Sequence, residues 1–570
     1  MSTRLLIAPA GAGKTAFVIE YARAAAHDLR ASPLVLLPSA AQAEAFRRRL
    51  AAGGAFGVQV NTVGGLYRAI MNKVSAPITT LTDPVRHRVL RDQMDALHES
   101  GQLAHYEPLR QRPGFIRVVS ELIHEFKQGM ISPSDLSQAW AVYPGSGPRL
   151  EDLTAIYASY QQCLSAQHWA DAEGLGWLAV ETLRGDDRLG REWSIILVDG
   201  FDSYNTLQLR TLEILSQRAE TLIITLTGNA HHARPLAHKR FARTRERLER
   251  TLHTHAEPLP EQSCGMDAAL CHIETHLFEQ HISLWNGQTP IELLEAPNRV
   301  AEAREALRWC KERLVLDRMQ PGEVAILARS IEPYRPFLIE AAREFDLPVR
   351  LSSGLPLGRH LLIAALLDLL TLAAPAPDGM GPALPRRLVV EAWRSPYFDW
   401  GHALHDAAGA PLAIESGDAD LLDDCARQGQ VIGGWEQWRE ALQRLAQEHE
   451  TADQEENERP YRQIEPEQAR LLWTKFQAFI ERLTPPSQGS YADYVAWLQA
   501  LIGDDPLVEP NETADDRSLN IIARIRQDAT SAPEDLQALV AFTDVLRSLV
   551  WAEAMGGVTS FSFVRFLAEL

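Results

Sequence analysis

The chain has 570 residues, 46% hydrophobic and 23% charged, with a formal net charge of −19. That length is too great for one core, so about three or four domains are expected. The absence of any run of about eighteen apolar residues argues against a membrane-spanning helix, and the acidic balance argues against a polybasic coat while leaving room for a local basic channel. The N-terminus opens on an apolar strand with no basic segment before it, unlike a signal peptide. Five cysteines show no disulfide spacing, which suits a reducing cytoplasm.

Arg4-Leu5-Leu6-Ile7 reads as a buried strand. Ala8-Pro9-Ala10-Gly11-Ala12-Gly13-Lys14-Thr15 follows it, and Ala16 to Ala26 reads as a helix. Strand, small-residue loop ending in Gly-Lys-Thr, helix is the context of a phosphate-binding loop. Its backbone N–H groups, from Ala10 to Gly13, would curl round phosphate oxygens at a helix N-terminus. Lys14 would reach the β- and γ-phosphates and Thr15 would hold Mg²⁺, so ATP with Mg²⁺ is the expected ligand. Ala8 stands where the usual pattern has Gly.

Leu34 to Ser39 reads as a second strand, Ala40 to Ala51 as a helix, and Val58 to Thr62 as a third strand. Alternation of this kind predicts a parallel sheet covered on both faces, with ligands at the carboxyl ends of its strands. Ser39 and Thr62 fall at such ends, where either helix capping or ligand contact would use them. Thr82 to Gly185 turns helical without a strand signal. The sheet then resumes: Ser194 to Asp199 is an apolar run ending in a carboxylate, suited to meet the Mg²⁺ of the loop. Thr221 to Leu226 is a further strand. His231 to Glu249, rich in Arg and His, reads as a solvated helix. Cys264, Cys271, His272 and His276 invite a zinc reading, but their spacing is not that of a finger or ribbon.

From Pro297 a second α/β pattern opens. It has helices at Val300 to Val315 and Tyr334 to Phe345, and expected strands at Glu323 to Arg329 and Val349 to Leu351. Helical segments follow, broken by a Pro/Gly loop at Pro375 to Pro385 and an acidic stretch at Glu448 to Glu465 read as a linker.

Ile195 to Asp199 with Gly200-Phe201-Asp202-Ser203-Tyr204-Asn205-Thr206-Leu207-Gln208 resembles the second motif of superfamily 1 DNA helicases of the UvrD type. It resembles more closely the AddB/RexB subunit of bacterial helicase–nucleases. So do Arg112-Pro113-Gly114-Phe115 with Glu121, Tyr157 with Tyr160, Asp171-Ala172-Glu173-Gly174, Val324 to Arg329, and Ser395-Pro396-Tyr397-Phe398. The likeness covers essentially the whole chain.

This resemblance implies a first RecA-like P-loop domain at 1–80 plus 187–292, with an all-α insertion at 81–186. A second RecA-like domain would begin at 293–365, with a helical insertion at 366–570. It also implies DNA contacts at Ser39, Thr62 and Arg329, single strands and duplex ends as ligands, an AddA-like partner subunit, and a role in double-strand-break processing. The departures matter as much. Gly200 stands where a motor ATPase has the Glu that positions and deprotonates water. The upstream Gln motif, a third-motif Gln, and the fifth and sixth motifs are not found. Neither is a nuclease constellation or a four-Cys cluster. Weak ATP turnover at most and no autonomous translocation are therefore expected. The alternatives are an active helicase using Asp202 or a trans residue as base, or a strand-threading scaffold with a vestigial nucleotide site; the large helical insertions and the second α/β opening speak against a P-loop kinase or signalling NTPase.

Overall fold

The computed structural model describes residues 2–570 except 29–30, 74–77, 111, 144, 146, 230–233, 261–266, 281–282, 353, 376–380, 401–403, 406–408, 448–463, 504–521, 523–532 and 557–559. Two compact units emerge: Met1–Cys264 with Leu357–Leu570, and Gly265–Pro356.

In chain order the strands are β1 (Ser2–Ala8), β2 (Pro33–Leu37), β3 (Gln59–Thr62), β4 (Thr79–Thr80), β5 (Trp169–Ala170), β6 (Ile195–Val198), β7 (Thr221–Thr227), β8 (Ala256–Pro258), β9 (Gln488–Gly489) and β10 (Phe561–Ser562). Six of them build one parallel sheet in the order β3-β2-β6-β7-β1-β8. The early helices are α1 (Lys14–Ala26), α2 (Ala40–Ala51), α3 (Val63–Met71), α4 (Asp83–Glu99), α5 (Pro113–Gln128), α6 (Pro133–Val142), α7 (Pro148–Ala166), α8 (Ala172–Gly185), α9 (Thr206–Ser216) and α10 (Lys239–Leu252).

The central strands β2, β6 and β7, and β1 from Leu5 on, are near-continuous apolar runs because both faces of the sheet are covered there. Alternate residues divide between two cores, as the period of a strand requires. Leu6, Val35, Leu37, Leu197 and Ile223 pack with Val18, Ile19, Ala43 and Phe46 of α1 and α2. Leu5, Leu34, Leu36, Ile196 and Ile224 pack on the other face with Leu66 of α3, Ala179 of α8 and Leu212 of α9. Each fully buried Leu or Ile contributes about 1.5–3 kcal/mol, so the sheet is the rigid base of this unit.

Helices α4, α5, α6 and α7 share a separate core that includes Leu90, Ile123, Leu136, Ile156 and Tyr160. The helical reading of this stretch holds, with one correction: the two-residue ladder between β4 and β5 interrupts it. The later helices build a core around Trp438, Phe476, Tyr494 and Leu546. They meet α4 directly, where Arg88 donates to the Leu549 carbonyl at 3.0 Å and lies 4.2 Å over the Tyr491 ring.

The unit Gly265–Pro356 holds three helices among its described residues, α11 (Ala268–His276), α12 (Arg299–Val315) and α13 (Arg335–Glu344). Ala303, Leu307, Leu338 and Ala341 form its small core. The strands expected at Glu323 to Arg329 and Val349 to Leu351 do not form: neither segment has a ladder partner among the described residues. Ile326 packs on the helix pair, while Leu327 is 93% exposed. The alternation of a strand is present, but a strand is stable only beside another. Most of the acidic stretch from Glu448 lies outside the described residues.

Lys127 of α5 is tied to the loop before α8 inside the protein. Its Nζ donates to Asp171 Oδ2 at 2.7 Å, and both side chains are almost fully buried. Asp171 also accepts from the Tyr160 hydroxyl at 3.0 Å and the Gly174 N–H at 2.7 Å. Burial alone would raise the Asp171 carboxyl; Lys127 and these donors overcome it and hold the carboxyl below its ordinary value. Burial lowers Lys127 in turn, but a carboxylate held by three donors keeps the pair charged. Asp171→Ala would strand a buried ammonium, so urea denaturation should show a loss of about 3–5 kcal/mol. Because the folded carboxyl is depressed, its contribution is present above the unfolded value and fades as pH falls through the folded one.

Candidate functional site

The register places the carboxyl ends of five strands on one edge: Ala8 pairs with Thr227, Leu36 with Val198, and Leu37 with Thr62. The loop Pro9 to Gly13 leaves β1 at this edge and turns into α1. Gly11 and Gly13 hold φ of 71° and 86°, left-handed values that glycine adopts without strain. Gly13 is the residue before α1, so the loop runs into the first turn of that helix, whose N–H groups have no partner within the helix. Lys14 Nζ folds over the loop and donates to the Ala8 and Pro9 carbonyls at 3.0 and 2.7 Å. Ala10 is exposed and Ala12 buried, so the loop presents its backbone rather than its side chains.

Thr15, in the first turn of α1, donates its hydroxyl to Asp199 Oδ2 at 2.7 Å. Asp199 follows β6 and is 2% exposed. Its other oxygen accepts from the Thr225 hydroxyl of β7, the strand between β1 and β6, and its N–H donates to the Leu36 carbonyl at 3.1 Å. Thr225 belongs to no motif in the sequence; its signal was a hydroxyl inside the apolar interior of Thr221–Thr227. Two hydroxyls on one buried carboxylate, at the strand edge from which a glycine loop and its lysine leave, form a set that can hold a hard divalent cation and a phosphate.

Ser39 and Thr62 are both helix N-caps. Ser39 accepts from the Gln42 N–H and Thr62 from the Gly65 N–H, each at 3.2 Å. Capping accounts for both, at the sheet edge where they were expected. Arg329 is exposed and lies in the other unit. His272 and His276 stack at 4.2 Å; His276 Nδ1 bonds the His272 carbonyl and His272 Nε2 the Ser283 carbonyl. Cys264 lies outside the described residues.

Gly200 has φ 83°. A Cβ there would meet Pro38 and Gln42 only at ordinary contact distance, 3.5 and 3.7 Å. The backbone, not crowding, selects glycine. Asp202 is about half exposed and faces Arg240 at 3.7 Å, and its carbonyl accepts from Thr244 at 2.8 Å. Tyr204 is buried, with no hydrogen-bond partner for its hydroxyl among the described residues. Burial, with the charge of Asp199, raises that hydroxyl well above its ordinary value.

Residues 5–264 match the family described as ADDB, N-terminal. Among curated relatives, the AddB subunit of the ATP-dependent helicase/deoxyribonuclease of Moorella thermoacetica is 26% identical over 403 residues, covering 64% of this chain and 33% of that protein. The corresponding AddB proteins of Bacillus cereus (strain G9842) and Acetivibrio thermocellus are 23% and 24% identical over 398 residues, covering 64% and 65% of this chain and 33% and 34% of theirs. The resemblance to AddB proteins read from the motifs is thus found independently. The chain spans about a third of the length of these relatives.

Any side chain at Gly200 must adopt the left-handed region at about 1–2 kcal/mol. Gly200→Ala should therefore lower unfolding stability by that amount in urea titrations, and a gain in stability would refute the backbone account.

Proposed function

We propose that this chain is a helicase-like, ATP- and DNA-binding subunit of a helicase–nuclease complex that processes DNA double-strand breaks. The observation that carries the reading is the Thr15–Asp199 hydrogen bond of 2.7 Å beside the glycine loop. The relatives' names support the setting. In this reading residues 1–80 with 187–292 are a RecA-like domain, 293–365 belong to a second whose expected strands have no ladder partner among the described residues, and Ser39, Thr62 and Arg329 would contact DNA. The compartment is cytoplasmic; no helix among the described residues is long and apolar enough to cross a membrane.

Ala10 to Gly13 would cradle the phosphates with backbone N–H groups, Lys14 would give up its loop carbonyls for them, and Thr15 with Asp199 would hold Mg²⁺. A bound Mg²⁺ supplies charge neutralisation on the phosphates. Asp199 keeps its aim because Thr225 holds its far oxygen. No carboxylate occupies position 200 to take a proton from water, and Asp202 is engaged by Arg240. Turnover is consequently weak, since a missing positioned base forfeits about 10²–10⁴-fold in rate. Strand separation depends on an AddA-like motor partner.

Titration of a fluorescent ATP analogue should show tight binding to the wild type and at least a tenfold loss in Lys14→Ala. DNA-stimulated turnover by the chain alone should stay below about 1 s⁻¹, the lower range of competent phosphoryl-transfer enzymes. Equal affinities would overturn the nucleotide site. Faster turnover, or unaided ATP-dependent unwinding, would restore the active-helicase reading.

A further inference from the structure

Helix α10 carries six cations, Lys239, Arg240, Arg243, Arg245, Arg247 and Arg250, against two acids, Glu246 and Glu249, in a chain whose net charge is −19. The cations are not spread round the helix. At about 100° per residue, Lys239, Arg250, Arg243, Arg247 and Arg240 fall within an arc of about 100°. Thr244, Leu248 and Leu252 form the buried face. Glu246 stands at the rim of the arc, and Glu249 pairs with Arg245 on the far side of the buried face at 4.0 Å. Lys239, Arg243 and Arg250 are exposed and make no ion pair among the described residues. The stripe runs for about 16 Å, the axial length of about five phosphates on one DNA strand.

One side of this stripe is fastened to the loop that follows Asp199. Arg240 donates to Ser203 Oγ at 3.2 Å and faces the Asp202 carboxylate at 3.7 Å. Arg247 donates to the Tyr204 carbonyl at 2.9 Å. A solvated helix needs no such one-sided charge; Glu246, four residues before Arg250, is the one acid placed i,i+4 before a stripe cation, and the two form no ion pair among the described residues. We propose that the basic stripe of α10 is a docking surface for the phosphate backbone of a single-stranded polynucleotide, and that it is joined through Arg240 and Arg247 to the loop behind the nucleotide site. This deepens the function proposed above and rests on its DNA-binding part.

The test is fluorescence anisotropy of a labelled single-stranded oligodeoxynucleotide with the full chain, repeated across salt concentrations. Arg243→Glu with Arg250→Glu reverses two exposed charges that no fold contact uses. Arg149→Glu with Arg184→Glu, also exposed, changes net charge equally elsewhere. The stripe variant should bind at least tenfold more weakly at about 100 mM salt. Its log–log salt dependence should be shallower by about 1.4, since each phosphate contact on a single strand contributes about 0.7. The control pair should match the wild type. Equal losses in both variants, or none in the stripe variant, would overturn the surface while leaving DNA binding intact. A wild type that binds no oligonucleotide would overturn both this surface and the DNA-binding reading, whereas nucleotide affinity in the same samples reports on the loop separately.

Discussion

The fold and the proposed chemistry meet at one buried carboxylate. Asp199 accepts hydroxyl hydrogen bonds from α1 and from β7, and its backbone donates to β2. An ionised carboxylate taken out of water costs several kcal/mol unless it is compensated. Two neutral hydroxyls stabilise it with dipoles but bring no charge. The sheet therefore holds, at the foot of a glycine loop, a group whose most favourable partner is a small hard cation. The rigidity of the strands below keeps it there: Leu197, Val198 and Ile224 have almost no freedom to shift.

Gly200 shows why this carboxylate need not imply a motor. The chain leaves β6 through Asp199 and the left-handed Gly200, and the segment that follows contacts α10. Asp202 ends against Arg240, and Tyr204 ends in the core against Phe201, with ring centroids 5.0 Å apart. In the proposed reading binding and hydrolysis are separable: Thr15, Asp199 and the loop would serve the first, while position 200 offers no carboxylate for the second.

Much of the sheet was legible because its central strands are short apolar runs; Leu34 to Leu37 and Ile195 to Val198 admit few other readings. The Thr15–Asp199 pairing could be anticipated from the motif, since a hydroxyl and a carboxylate are the residue types that a magnesium–phosphate site would use. Thr225 could not, because a threonine inside a strand is ordinarily only a good strand former. The short strand at Ala256–Pro258 was missed for a related reason: it pairs only at the sheet edge, where Pro258 is tolerated and no apolar run is needed. Val324 to Ala328 failed in the opposite direction. It is an apolar run like those of the central strands, yet an apolar run reports a preference for burial and says nothing of a neighbour to pair with.

Magnesium dependence of nucleotide binding tests the central claim most directly. Asp199→Asn preserves the shape and the hydrogen-bonding reach of the side chain but removes its charge. Calorimetric titration of a non-hydrolysable ATP analogue, with and without Mg²⁺, should show that magnesium tightens binding to the wild type and has little effect on Asp199→Asn, while both bind the analogue equally without metal. An identical magnesium effect in the two proteins would contradict the account.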